Sequence, residues 1–259
     1  MKEKILAVAG AMFALVLVPE ILAVRGGTSI LHLMMRAPMT NEGVISNATG
    51  KVDLKLNQQG HADNQRLTLT TSKLDSNTVY TLLALLGDDT NLTEVTTFTT
   101  GANGAANLKY VRVGSSNGHG NGGHPGGLPL PDTLKPLSNV RALVVENVST
   151  QAVLSADLTA PQSLQYLVRR SLTGTGASAD LRIHATTRFV QFRLLASGLQ
   201  TNAPYFLTLN ETNLTSYVSD GQGKLRILGL PAVAPDILDL HDLALQDGNT
   251  NTVLSTTLP

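Results

Sequence analysis

Apolar and polar residues alternate with a period of two along most of the chain after residue 50. Val52, Leu54 and Leu56 alternate with charged neighbours, and Leu67 and Leu69 repeat the pattern. Alternation of this kind is typical of a strand with one buried face. Similar runs cover residues 80–84, 95–98, 108–113, 140–145 and 153–158, and then 181–183, 190–194, 205–209, 225–228, 243–245 and 253–258. The pattern predicts an all-β protein.

Turn signals rich in Gly, Asn and Asp separate these runs. Asn57–Gly60, Gly87–Thr90 and Gly101–Gly104 are of this kind, and Asp220–Gly223 takes the place of 101–104 in the second half. Two further segments, residues 131–134 and 235–238, begin with Pro-Asp. Because Pro and Asp suit the first positions of a helix, each segment predicts a single helical turn.

Three segments occur twice, which indicates a tandem duplication. Residues 29–36 recur as 163–170, 74–82 as 199–207, and 153–158 as 253–258. The first copy then covers residues 27–158, a linker covers 159–162, and the second copy covers 163–259. With about seven short strands in each copy, we expect two tandem antiparallel β-sandwich domains of immunoglobulin-like type.

The pattern Leu-x-x-Asn-x-x-Tyr-x-Leu, in residues 74–82 and 199–207, resembles the tyrosine corner of fibronectin-type sandwiches. In that corner the hydroxyl of the tyrosine, here Tyr80 and Tyr205, turns back to an upstream backbone group. Asn77 and Asn202 tolerate the left-handed backbone that such a turn requires. The resemblance therefore implies a structural role for these four residues.

Asp132 and Asp236 are also present in both copies. Since each follows a proline, we expect them to cap a helical turn or to lie in its first turn. Their predicted role is structural, not catalytic.

A second resemblance covers roughly the latter two-thirds of each copy. The corner motif is followed by a Thr-rich strand, a Gly turn and Val-rich strands, with Tyr80, Phe98, Gly104 and Leu154 at the corresponding positions. This order resembles the extracytoplasmic sandwich domain of anti-sigma-K-type regulators. The sequence has no counterpart of that family's sigma-binding part and central membrane span, so the resemblance implies the fold and not the regulatory role.

The N-terminal residues are typical of an export signal. Lys2 and Lys4 precede an uncharged, largely apolar run over residues 5–18, and Pro19 and Ala23 follow. This arrangement predicts a signal peptide over residues 1–23, with a retained membrane anchor as the alternative. Because the chain also contains no cysteine, we expect a bacterial protein that is secreted, periplasmic or at the cell surface.

The charge and the aromatic content limit the classes of partner that we expect. The 19 Lys and Arg residues balance 19 Asp and Glu residues, and no basic run occurs. We therefore expect neither a nucleic-acid partner nor a charged patch for a membrane surface, and membrane contact only through an uncleaved N-terminal segment. With no Trp and 4% aromatic residues, the core should be aliphatic, and few rings remain for stacking on sugars: Tyr110, Tyr166 and Tyr217.

One glycine-rich segment, residues 114–127, has no counterpart in the second copy. Its Gly-x-Ser-x-Gly match at 114–118 is followed by Gly and His residues that cannot start the helix of a nucleophile elbow. We expect a flexible loop here. Its His119 and His124 are candidate ligands for a transition metal, with His61 or Asp132 as a third ligand.

Two oxygen-rich turns, residues 88–91 and 247–251, are candidates for weak calcium binding, although neither has the ligand spacing of a dedicated calcium loop. No cofactor is predicted apart from these weak metal candidates.

No catalytic constellation is evident, so we expect a protein that is not an enzyme. The predicted function is that of an exported structural, adhesive or assembly protein, associating with itself through a sheet edge or with a cell-surface partner. The alternative is a secreted ligand-binding module that uses the loop at 114–127 to bind a metal or a glycan.

Overall fold

The computed structural model describes residues 29–60, 62–87, 89–113, 127–232 and 234–258, and within these residues the chain is almost entirely β. The strands are β1 Ile30–Asn41, β2 Thr49–Gln59, β3 Ala62–Ser72, β4 Val79–Leu86, β5 Thr93–Thr99, β6 Ala106–Val113, β7 Leu128–Pro129, β8 Val140–Glu146, β9 Ala152–Asp157, β10 Ser163–Thr173, β11 Ser178–Thr186, β12 Val190–Ser197, β13 Pro204–Leu209, β14 Thr212–Val218, β15 Leu225–Leu228, β16 Asp242–Asp247 and β17 Thr252–Thr257.

The helical elements of the described residues are single 3-10 turns at Asp132–Leu134, Leu137–Asn139 and Ile237–Asp239. Two of them occupy the segments that begin with Pro-Asp, as the sequence predicts. None of the described helical segments has the length and apolarity needed to cross a membrane. The predicted signal peptide at 1–23 lies outside the described residues.

One long sheet joins the two halves of the chain. Its strands follow the order β15-β12-β11-β10-β1-β2-β3-β6-β7, and β1 pairs antiparallel with both β2 and β10. Leu33 of β1 lies opposite Leu56 of β2 on one side and Tyr166 of β10 on the other. The halves are therefore hydrogen-bonded into one continuous sheet and are not separate beads on a linker.

Two smaller antiparallel arrays accompany the long sheet. In the first half the order is β5-β4-β8-β9, and the last residues of β1 leave the long sheet to pair with β9. In the second half the order is β14-β13-β16-β17. Apart from β7 and the pairing of β1 with β9, the pairing order of β1 to β9 recurs in β10 to β17.

The buried rows of all the sheets form one hydrophobic cluster, so the sheets curl over each other in a sandwich-like arrangement. Leu, Val, Ile and Ala dominate this core, in agreement with the composition. Tyr110 and Tyr166 are 3% and 2% exposed and belong to it as well. Neither ring is accessible as a stacking platform for a sugar.

One repeat assigned from the sequence is out of phase by one residue. Aligning residues 29–36 with 163–170 equates Leu33 with Leu167. In the structure Leu33 is buried, whereas Leu167 lies in the outward row opposite His184. Because a shift of one residue moves every side chain of a strand to the other face, these two segments are not equivalent in the way that the letters indicate.

An ion pair adds to the contact between the halves. Arg141 of β8 donates to the carbonyl oxygen of Leu238 at 3.2 Å and pairs with Asp239 at 2.9 Å. The Arg141 side chain is only 13% exposed, so water screens this pair less than a surface ion pair.

Candidate functional site

The outward rows of the long sheet carry most of the positive charge that the structure describes. The inward side chains of these strands fill the core, so every second residue points away from it. Of the 16 described Lys and Arg residues, nine lie in the outward rows, together with two carboxylates, Asp53 and Asp180. The nine are Arg36, Lys51, Lys55, Arg66, Lys109, Arg169, Arg182, Arg193 and Arg226. We call this surface the cationic face.

The remaining described surface has the opposite balance. It carries seven Lys and Arg residues against fourteen Asp and Glu residues. The chain as a whole has a formal net charge of zero. Strand alternation thus collects on one face charges that are dispersed along the sequence, so the absence of a basic run does not exclude a cationic face.

Three arginines form a continuous row across the second-half end of this face. Arg169 of β10 lies opposite Arg182 of β11, and Arg182 lies opposite Arg193 of β12. Neighbouring strands are about 4.8 Å apart, so the row presents three like charges within about 10 Å. Within the described part of the chain, none of the three forms a salt bridge. We call these residues the arginine row.

The first-half end of the face combines cations with a concavity. Lys55 of β2 lies opposite Arg66 of β3, and both line a concavity of about 420 Å³ together with Met34 and Gln165. Arg36, on the same rim, pairs with Asp53 at 2.5 Å. The floor of the concavity is the sheet itself, so it extends the face and does not form a separate cleft.

The two corner tyrosines make the same contact. The backbone N–H of Asp75 donates to the hydroxyl of Tyr80 at 3.1 Å, and that of Gln200 donates to the hydroxyl of Tyr205 at 2.9 Å. Both rings are buried. Burial raises the pKa of Tyr80 above its usual value, although the hydrogen bond from Asp75 opposes this effect.

The asparagines of the corner take the backbone conformation expected of them. Asn77 and Asn202 have φ values of 51° and 53°. Glycines complete both corners, since Gly104 accepts a hydrogen bond from the N–H of Leu74 and Gly223 accepts one from Leu199, both at 3.0 Å.

The two aspartates that follow prolines act differently at their 3-10 turns. Asp236 caps its turn by accepting a hydrogen bond from the N–H of Leu238 at 2.9 Å. Asp132 lies in the first turn of Asp132–Leu134 and pairs with Lys135 at 2.6 Å, which holds the pKa of its carboxyl below the usual value.

The candidate metal ligands His119 and His124 lie outside the described residues, as do His61 and all of the loop at 114–127 except Gly127. Among the residues that the structure describes, no group of three or more His, Asp or Glu side chains is placed to hold a metal ion. The metal site therefore stays a prediction from the sequence.

In the calcium candidate at 247–251, the carboxylate of Asp247 has a structural role. Asp247 accepts hydrogen bonds from the N–H groups of Asn249 and Asn251, both at 2.9 Å. In the first half, Asn147 accepts from the N–H groups of Ser149 and Gln151 in the same way. In the first half, a neutral amide thus takes the position that the Asp247 carboxylate has in the second half. The hydrogen bonds of the turn therefore explain the presence of Asp247 without a calcium ion. In the other candidate turn, Asp88 lies outside the described residues.

Compared with known proteins, the chain matches no protein-family model, and no curated protein or solved structure shows significant similarity to it.

Proposed function

We propose that this protein is a non-catalytic, exported adhesive protein that binds an anionic surface through its cationic face. The observation that carries the proposal is the segregation of charge on a neutral chain, with nine cations and two carboxylates on one face. Like charges directly opposite each other on a sheet destabilise it. The arginine row therefore lowers the stability of the free protein. A partner that neutralises these charges best explains why the face retains them.

The shape of the face supports an extended partner. Eight consecutive long-sheet strands, β15 to β6, span roughly 35 Å at the usual strand spacing. Cations are spread over all eight of them, and their summed field attracts anionic groups even though each exposed pair contributes little. We still predict that nucleic acid is not the partner, because the cationic face offers almost no exposed rings on which bases could stack.

For the architecture, we infer two copies of one immunoglobulin-like sandwich that duplicated and then fused through β1 and β10. The recurrence of the strand order and of the corners at Tyr80 and Tyr205 supports this inference. The likeness to the extracytoplasmic domain of anti-sigma-K-type regulators stays a proposal on the sequence alone.

Binding of labelled heparin to the full chain, measured by fluorescence anisotropy, tests the proposed function. We expect salt-sensitive binding that weakens by about tenfold or more in Arg182→Glu/Arg193→Glu, because two charges of the arginine row are reversed. A single-stranded oligonucleotide of matched charge is the second probe, and we expect it to bind more weakly.

The matched control is Lys73→Glu, an exposed cation in the turn after β3 and outside the cationic face. Its affinity for heparin should stay within about twofold of wild type, since a single remote charge is screened. Equal binding by wild type and by Arg182→Glu/Arg193→Glu would refute the proposal. Stronger binding of the oligonucleotide would instead identify nucleic acid as the partner.

Assembly with a second copy is a further role that one sheet edge favours. β14 ends its sheet, and its seven residues, Thr212–Val218, contain no charge or proline to block pairing. Size-exclusion chromatography with light scattering on wild type and Ser216→Pro tests this role. Dimers that the proline abolishes would support it, and a wild-type monomer at high concentration would exclude it.

A further inference from the structure

We propose that the anionic surface is a lipid bilayer and that the turn between β11 and β12 inserts into it. This inference rests on the proposed function and names its partner. The turn projects from the sheet, since five consecutive residues, 187–191, are all exposed. Arg188 and Phe189 lie in this turn, and Val190 is the first residue of β12.

The phenylalanine ring of the turn lies beside the cationic face. Phe189 is 45% exposed, and its ring packs edge-on against the imidazole of His184, with 5.2 Å between centroids. His184 lies in the outward row opposite Leu167, so this contact places the Phe189 ring on the same side of the sheet as the arginines. Leu228, which is 57% exposed, lies opposite Arg193 on β15.

This combination suits the boundary of a bilayer and not a soluble polyanion. Exposed apolar side chains gain by entering the region between head groups and acyl chains, while neighbouring arginines remain at the phosphates. A soluble polyanion would neutralise the arginines but would give Phe189 no apolar surroundings.

The first half of the chain provides an internal comparison. The corresponding turn between β2 and β3 has the sequence Gln59-Gly-His-Ala62, without a large apolar residue. The fold therefore does not require an aromatic residue in a turn at this place. Phe189 is a feature of one half, and it lies next to the arginine row.

The first experiment measures the partitioning of the full chain onto vesicles by co-sedimentation. Vesicles of phosphatidylcholine are compared with vesicles that also contain phosphatidylglycerol. We expect binding only when phosphatidylglycerol is present, and about tenfold weaker partitioning for Phe189→Ser, with unchanged heparin affinity. The control Val148→Ser removes a side chain that is 77% exposed in the turn after β8. It should change neither the partitioning onto vesicles nor the affinity for heparin.

The second experiment uses the absence of tryptophan from the chain, which makes a single introduced Trp a specific reporter. In Phe189→Trp we expect a blue-shifted emission on phosphatidylglycerol vesicles and quenching by brominated lipids. In Val148→Trp we expect neither change. Attachment through the N-terminal segment alone would leave both positions in water and give no shift at either.

The outcomes separate this inference from the proposed function. Wild-type partitioning of Phe189→Ser, or no spectral change in Phe189→Trp, would overturn the insertion of the turn. Loss of heparin binding in Arg182→Glu/Arg193→Glu would still support the adhesive role. If heparin binding also persists in that variant, the proposed function fails as well.

Discussion

Arg169 and Arg182 lie directly opposite each other on β10 and β11, with their side chains on the same face of the sheet. Both are exposed, and neither forms a salt bridge within the described part of the chain. Antiparallel neighbours of like charge repel each other. The arrangement therefore costs the free protein stability, and a bound anion would relieve the repulsion.

Arg182→Glu should therefore change stability and binding in opposite directions. The introduced carboxylate would face Arg169 on one side and Arg193 on the other. We expect the free energy of unfolding to rise by about 0.2–1 kcal/mol while affinity for an anionic partner falls. Urea denaturation at low ionic strength measures the first effect, and heparin titration measures the second.

The rise in stability should shrink in high salt, because screening weakens the repulsion that the substitution removes. Arg182→Gln is the control that removes one charge without adding the opposite one, and it should give a smaller gain. A loss of stability in both variants would show that Arg182 stabilises the fold, which would contradict our interpretation of the row.

Much of the fold was predictable because most strands alternate cleanly. The exceptions are informative. In β1 the apolar Met34 lies in an outward row, and in β10 the apolar Leu167 does so, which obscures the period of two in both strands. These two strands join the halves of the molecule. Their pairing joins residues 127 to 139 positions apart, from Arg36–Ser163 to Ile30–Arg169, so no local pattern could predict it.

The cationic face was not predictable for a related reason. Its nine cations are spread over eight strands, singly except for the two on β2, so they form no run in the sequence. Lys55 and Arg66 become neighbours only because β2 pairs with β3, and Arg182 and Arg193 because β11 pairs with β12. The sequence does show basic residues at alternate positions of the strands. To predict the cationic face from them, the order and register of the strands must also be known.

The corner tyrosines give a second prediction. In Tyr80→Phe or Tyr205→Phe, the backbone N–H of Asp75 or Gln200 loses its acceptor. We expect each change to lower the free energy of unfolding by about 1–3 kcal/mol, because the donor is left unsatisfied. Urea denaturation measures the loss.

Tyr166→Phe is the matched control for the corner variants. Tyr166 is equally buried, and its hydroxyl has no hydrogen-bond partner among the described residues. Burial raises the pKa of this hydroxyl far above its usual value, although the nearby charge of Arg170 opposes this effect. Its removal should be neutral or stabilising. A loss equal to that of Tyr205→Phe would show that the corner bond contributes nothing specific.

The glycine of the second corner gives a third prediction. Gly223 has φ +69°, and a Cβ there would lie 2.2 Å from the carbonyl oxygen of Leu199. Gly229 has φ +85° but no atom within 4 Å of such a Cβ. We expect Gly229→Ala to cost about 1–2 kcal/mol of strain and Gly223→Ala at least about 2 kcal/mol more. Thermal unfolding compares them, and equal losses would mean that the corner can move to accept the methyl group.

We expect the turn at Asp247 to make stability depend on pH. Hydrogen bonds from the side chain and then the backbone of Asn251 hold the pKa of Asp247 below its usual value of 3.8. Because the folded carboxyl binds its proton only at lower pH than the unfolded one, its contribution is complete above the unfolded pKa. That contribution is lost as the pH falls through the lowered folded pKa.

Asp247→Asn should remove this dependence while it keeps the turn, since Asn147 accepts the corresponding hydrogen bonds in the first half. We expect the urea midpoint of wild type to fall more steeply than that of Asp247→Asn between about pH 5 and about pH 2. The reciprocal change Asn147→Asp places a titrating carboxyl in the equivalent turn and should steepen the fall. If all three proteins lose stability in parallel, the carboxylate of the turn is not a source of the acid sensitivity. The two turns would then be equivalent in energy as well as in geometry.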